Sequence, residues 1–341
     1  MSKDFEIDRR SCLFGLLGSM TIAPVWSSSS YAQKSDAIEI RWGSSPAIEL
    51  VLPVFVAMKK GYLAEEGLKL DRVTLAPGVR LREAMAAGEL DFAENASTTY
   101  ILGRQAGLAQ KIIFQYFTKE IFSLFAPTKH QSTIKTVADL KGKIIAVAAL
   151  GTSAHMSAIN FVNKAGLKPT DVTFVGLNST DPATLLTAVD QFDAIVTWEP
   201  ISTLMVDRKA GYPLVDIAAP GSHEKWIGND SASEVLWVSE EMIAKRPEVI
   251  QRSVNALKKA MTFIRNNSPQ DVAAVGAESF KMDPIMLARI LERTKQNFSA
   301  DGRISRAGME TAMQLLRGGG LLKKEMKFED MVDTRFAGET A

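Results

Sequence analysis

The stretch Gly151-Thr152-Ser153-Ala154-His155 brings together hydrogen-bond donors, a hydroxyl that could act as a nucleophile and an imidazole. The apolar run before it (144–149) reads as a buried strand and the run after it as a helix. The hydroxyls therefore fall where a strand hands over to a helix N-terminus. Unpaired backbone N–H groups and roughly half a positive charge of helix dipole hold an anion at such a place without reacting with it. Covalent chemistry fits less well. The stretch is not the Gly-x-Ser-x-Gly elbow of hydrolases, because His155 stands where the last glycine belongs. His155 also falls in the first helical turn, where the positive dipole end opposes its protonation.

Three more turns offer the same chemistry at strand ends: Ser44-Ser45, Gly78 with Arg80, and Asn95 with Ser97 and Thr98. Each reads equally as an ordinary helix cap, since Ser, Thr and Asn are the usual N-caps. Several in one layer of strand ends point to a ligand site. Arg80 is the candidate partner for an anion, and Glu49 the candidate for a cationic end of a ligand. Trp198-Glu199-Pro200 closes an apolar strand. There Trp198 forms a pocket wall or packs an interface, and Glu199 receives an ammonium or a hinge amide. The histidines His130, His155 and His223 have no metal-ligand spacing, so no metal and no cofactor is expected.

Elements that would position these residues alternate along the chain. Strands are expected at 38–42, 68–75, 90–93, 112–116 and 122–126, with helices at 48–60 and 80–87 and another opening at 95–98. A fresh strand–helix–strand rhythm runs from about 136 to 216 and suggests a second lobe. A strand at 234–239 returns to the first, followed by helices at 247–266, 269–281, 284–297 and 305–316. The expected fold class is α/β, two lobes with mainly parallel sheets and a hinged ligand cleft. The expected division is 38–125 for the first part of lobe 1, 126–233 for lobe 2, and 234–341 for the return to lobe 1 with its C-terminal helices.

Composition agrees with a globular chain: 341 residues, 46% hydrophobic and 23% charged, with formal net charge +1. That balance offers no electrostatic case for nucleic acid, and no apolar run is long enough for stable membrane insertion. Arg9-Arg10 precedes an apolar run, and Ser30-Tyr31-Ala32 ends it with small residues, so 1–32 reads as an export signal cleaved near Ala32. With Leu13 and Phe14 behind them, the arginines resemble a twin-arginine signal, and ordinary secretion stays open. Cys12 is the single cysteine and lies inside that segment, so a cleaved chain has no thiol for disulfides, catalysis or metal.

The run 139–143 (Asp-Leu-Lys-Gly-Lys), the Gly151-Thr152-Ser153-x-His155 turn, the run 165–172, Phe192-Asp193-Ala194 and Trp198-Glu199-Pro200 together resemble periplasmic substrate-binding proteins of ABC importers for nitrate, taurine and aliphatic sulfonates. The runs 57–68, 83–92 and 246–249 fit as well, so the resemblance covers roughly 38–317. It implies the two-lobe, type II-like periplasmic binding protein fold and capture of a small anionic ligand rather than turnover. It further implies a monomer that docks on an ABC permease driven by an ATPase. By this resemblance Gly151, Thr152 and Ser153 contact the ligand head, Ser44, Ser45, Gly78, Asn95 and Ser97 line the facing lobe, and Trp198-Glu199-Pro200 closes the pocket. Two departures stand out. Leu186 to Gln191 lacks the glycine that relatives often carry before the Asp-Ala strand, and Gly43 to Glu49 lacks the Tyr-Gln pattern of some sulfonate binders. A cleft enzyme with His155 as acid and base, or a module feeding a sensor, are the other readings.

Overall fold

The computed structural model describes residues 37–76 and 78–340. The expected export signal lies outside the described residues, as does Pro77. In chain order the first lobe builds β1 (Ile38–Ser44), α1 (Ile48–Lys59), α2 (Tyr62–Glu65), β2 (Leu68–Thr74), α3 (Gly78–Ala86), β3 (Phe92–Ala96), α4 (Ser97–Gln105) and β4 (Gln110–Phe117). The second builds β5 (Ser123–Pro127), β6 (Ile144–Val147), α5 (Ser153–Lys164), β7 (Thr173–Gly176), α6 (Pro182–Ala188), β8 (Ala194–Thr197), α7 (Ile201–Asp207), β9 (Gly211–Val215) and α8 (Ser222–Trp226). After β10 (Glu234–Ser239) the chain is helical: α9 (Glu240–Lys245), α10 (Pro247–Asn266), α11 (Pro269–Gly276), α12 (Pro284–Thr294), α13 (Arg306–Gly318) and α14 (Phe328–Met331).

Two five-stranded sheets form the lobe cores, in the orders β2-β1-β3-β10-β4 and β7-β6-β8-β5-β9. Each is mixed rather than mainly parallel. β1 runs parallel to β2 and β3, and β6 to β7 and β8. The strands that follow the two passages between lobes run the other way: β5 is antiparallel to β8 and β9, and β10 to β3 and β4. A chain entering a sheet from its ligand edge must run against strands that end there. Segments 118–122 and 216–233 make those passages.

The helix α1 is apolar on nearly every side, with Ile48, Leu50, Leu52, Val54 and Val56 each at most 1% exposed. It is packed between the first sheet and α10 and α11, which is why its sequence lacks a polar stripe. α13 packs on α4 of the first lobe and α5 of the second, bracing both. Gly151, at φ +74, turns the chain out of β6 toward α5 in a conformation that a side chain would disfavour.

One boundary moves in a way that matters. β3 covers Phe92–Ala96 rather than 90–93. Asp91 holds the preceding turn, accepting from the Arg41 N–H at 2.8 Å and donating its own N–H to the Arg41 carbonyl. Asn95 therefore ends a strand instead of opening a helix, and α4 begins at Ser97.

Candidate functional site in the cleft between the lobes

The strand ends of both sheets meet at a cavity of about 540 Å³, its open mouth included. Ser45, Gly78, Asn95, Thr152, Ser153 and Trp198 line it as expected from their turns. They arrive from different lobes: Ser45, Gly78 and Asn95 from the ends of β1, α3 and β3, and the others from the entry to α5 and the end of β8.

The lobes touch through hydroxyls. The Thr98 and Ser153 oxygens lie 2.7 Å apart, and Thr99 approaches Ser153 at 3.4 Å. Asn95 organises the first-lobe side. Its carbonyl oxygen accepts from the Ala96 N–H (2.7 Å) and the Thr99 hydroxyl (3.0 Å), and its amide donates to the Ser45 hydroxyl. This is a closed arrangement, in which polar groups of each lobe satisfy those of the other.

Helices α1, α4 and α5 all begin at this cavity, at Ala47, Ala96 and Thr152, and none is capped by a side chain. Alanine has no oxygen to offer, and the Thr152 hydroxyl donates back to the Ala149 carbonyl at 2.7 Å. Backbone N–H groups and positive dipole ends therefore point at the space between the lobes. The Ser97 N–H donates instead to the Ser233 carbonyl at 2.9 Å, and the Leu50 N–H to the Ala47 carbonyl at 3.3 Å.

Other candidates stand elsewhere. Arg80 is exposed and does not line the cavity, so the expected cationic partner of an anion is missing. Ser44 is fully buried, donating to the Ser45 carbonyl and accepting from Arg72 at 3.1 Å, below the site. Ser97 is buried behind the lining. Gly151 shapes the turn, and its N–H donates to Nδ1 of His155 at 3.1 Å. His155 packs edge-on against Phe174 with its Nε2 buried and unpartnered, and burial lowers its pKa. It is a neutral structural imidazole rather than a cleft acid.

Glu49 and Glu199 also leave the main cavity. They line a smaller one beside the hinge, with Glu120, Ser123, Ser202 and Asn297. Burial, with Glu199 nearby, raises the Glu49 carboxyl to about 8, and burial raises Glu199 and Glu120 as well. Glu199 accepts from the Thr203 N–H at 3.2 Å. Glu94, beneath the cleft floor, is raised to about 7 by burial against the opposing pull of Ser44 and Arg72.

Leu50, Ile121, Phe122, Thr99, Thr180 and Glu234 complete the lining without having stood out in the sequence. Phe122 meets Trp198 edge-on, with centroids 6.0 Å apart. Glu234 had one legible signal, an acid opening the otherwise apolar strand Val235-Leu236-Trp237-Val238. Among the described residues it is the only ionisable side chain in the lining, which holds no Lys or Arg. Arg72 lies in the neighbouring cavity, which shares Pro46, Thr180 and Trp198, and there it binds Ser44 and Thr74.

A clasp outside the site joins the lobes. Arg289 of α12 meets Asp207 of α7 with two bonds of 2.9 and 3.0 Å, and Arg293 reaches Asp216 at 2.6 Å and Glu199 at 3.8 Å. The Arg289–Asp207 and Arg293–Asp216 pairs are partly exposed and screened by solvent, so each holds only weakly, while Glu199 is buried. Arg293→Ala is expected to weaken solute binding only a few-fold, with a larger loss at low salt than at high salt. Salt-independent affinity in that variant would remove the clasp from closure.

The family model described as NMT1/THI5 like matches residues 50–271. A protein of Brucella abortus named as a binding protein is 27% identical over 232 residues, 67% of each chain. A solved structure from Bordetella bronchiseptica superposes with TM-score 0.77 at 22% identity, covering 89% of this chain and 96% of that one. The periplasmic aliphatic sulphonate binding protein SsuA of Escherichia coli gives 0.70 at 20% identity, covering 88% and 99%. With two mixed sheets, a cleft at their facing strand ends and a family match over most of its length, the chain belongs to the NMT1/THI5-like family and has the two-lobe periplasmic binding protein fold.

Proposed function

We propose that the chain is the solute receptor of an ABC importer, capturing a small organic solute between its lobes and delivering it to a membrane permease driven by an ATPase. The observation that carries this is the hydroxyl contact between Thr98 and Ser153, which closes the lobes over a cavity lined from both sides. Binding of a solute that touches both lobes shifts the equilibrium toward closure, because only the closed form makes both sets of contacts. The helix N-termini at Ala47, Ala96 and Thr152 supply donors for an anionic or acceptor-rich end. The division into two lobe-1 segments around lobe 2, export with cleavage near Ala32, and action as a monomer belong to the same reading.

Catalysis is disfavoured by geometry. Ser153 is engaged with Thr98, while Nδ1 of His155 is occupied by the Gly151 N–H, so His155 is not available as a base for the hydroxyl. A thermal-shift titration with alkanesulfonates, carboxylates, nitrate and amino acids tests the receptor reading. At least one is expected to raise the melting temperature progressively with concentration. Ser153→Ala is expected to lower that solute's affinity about tenfold, the worth of one good hydrogen bond, without altering the fold. Turnover of a bound solute would favour the enzyme instead.

A further inference from the structure

The acid in the lining says more about the solute than the hydroxyls do. Glu234 is 2% exposed, opens β10 opposite Ala96 and lines the cleft. Among the described residues no Lys, Arg or His shares that lining. Three further buried acids act on it: Glu120 from the passage between lobes, Glu49 from α1 and Glu94 from β3. Arg72 faces Glu94 and binds Ser44. The first-lobe floor of the cleft thus concentrates carboxyl groups, and Arg72 answers only Glu94 among them. The second lobe presents the uncapped start of α5 and no acid to the same space.

Resting on the receptor reading above, we propose that the solute is dipolar, with a cationic nitrogen held by Glu234 and an anionic or acceptor-rich end held at the start of α5. Its body lies against Leu50, Phe122 and Trp198. A plain sulfonate, carboxylate or nitrate brings no cation to pair with the Glu234 carboxylate. A cationic nitrogen supplies the missing partner, and the Asn95 and Ser45 groups beside it give orientation rather than charge. Burial and the neighbouring acids push the Glu234 carboxyl well above the usual carboxylate range. Pairing with a cation favours the carboxylate form, so binding releases whatever proton share the free group holds.

The test uses matched probes that differ only in the ammonium group: 2-aminoethanesulfonate against ethanesulfonate, β-alanine against propionate, and phenylalanine against 3-phenylpropionate. Binding is measured by calorimetry in two buffers of different ionisation enthalpy, on the wild type and on Glu234→Gln. In parallel, small molecules released on denaturing the purified protein are identified by mass spectrometry. The expected result is at least a tenfold preference for the ammonium member of one pair, with proton release on binding. That preference and that release should both be lost in Glu234→Gln, whose neutral amide matches the protonated acid in shape and preserves the fold. Tighter binding of the ammonium-free member, a released molecule without a cationic nitrogen, or a preference unchanged in Glu234→Gln overturns the inference and leaves the receptor reading standing. If no probe binds and nothing is released, both fall together.

Discussion

Trp198→Ala is expected to lower solute affinity about a hundredfold while lowering the melting temperature of the solute-free protein only slightly. Trp198 is 5% exposed in the closed form, stands edge-on to Phe122 and forms a wall of both the main cavity and the one at its mouth. Truncating a buried Trp in a core costs about 3–5 kcal/mol. Here the loss falls mainly on the closed state, because opening the lobes wets the face of the ring that lines the cleft. A loss of about 3 kcal/mol in closure appears as roughly a hundredfold in dissociation constant. Thermal melts with and without saturating solute separate the two possibilities. If both melts fall equally, Trp198 is a packing residue of the second lobe and the wall lies elsewhere.

The periodic parts of the molecule were legible because one face or all faces of each element are buried. Residues 247–266 read as a helix and are one, for the apolar positions Val249, Ile250, Val254, Leu257 and Met261 fall on its buried side. The turn at Gly151 to Ser153 was legible for a different reason: small donors between an apolar strand and a helix have few other uses. What the sequence concealed depends on the direction in which a side chain leaves a strand. Ser44 and Ser45 are neighbours, yet only Ser45 lines the cleft, since Ser44 ends β1 and is buried against Arg72 while Ser45 begins the turn beyond the strand. A three-residue difference in where β3 ends likewise decides whether Asn95 opens a helix or stays in the strand facing the cleft. Arg80 failed as an anion partner because α3 begins at Gly78, which carries Arg80 onto the exposed side of its first turn. Glu234 was hidden by distance: nothing local ties it to Ala96, which the sheet places opposite it across more than a hundred residues. Glu49 and Glu199 read separately as candidate contacts for a cationic group, and their convergence beside the hinge exists only in three dimensions.

That convergence gives the second large effect. Glu49→Gln is expected to stabilise the protein by an amount that grows with pH, close to zero at pH 4 and on the order of 4 kcal/mol by pH 8. Glu49 is 2% exposed, and its Oε2 is buried without a hydrogen-bond partner. Burial first, and then the Glu199 carboxyl, raise it from an ordinary 4.5 to about 8 in the folded chain. Between those values the folded state keeps a proton that the unfolded state has released. Wild-type stability contributed by this site is therefore complete below about pH 4.5 and is lost as the pH rises through 8. Glutamine fills the same space, does not titrate and removes that slope. Urea midpoints measured from pH 4 to pH 9 at constant m-value check it. Parallel pH profiles for variant and wild type would mean that Glu49 reaches water in the folded protein. Glu49 comes from the first lobe and Glu199 from the second, yet both line the same small cavity, so opening the lobes hydrates the two acids together. A wild-type protein that opens more readily at pH 8 than at pH 6, with Glu49→Gln insensitive to the change, is the expected functional counterpart. Small-angle scattering of the solute-free protein at the two pH values reads it directly, and equal dimensions for the wild type at both would confine the effect to global stability.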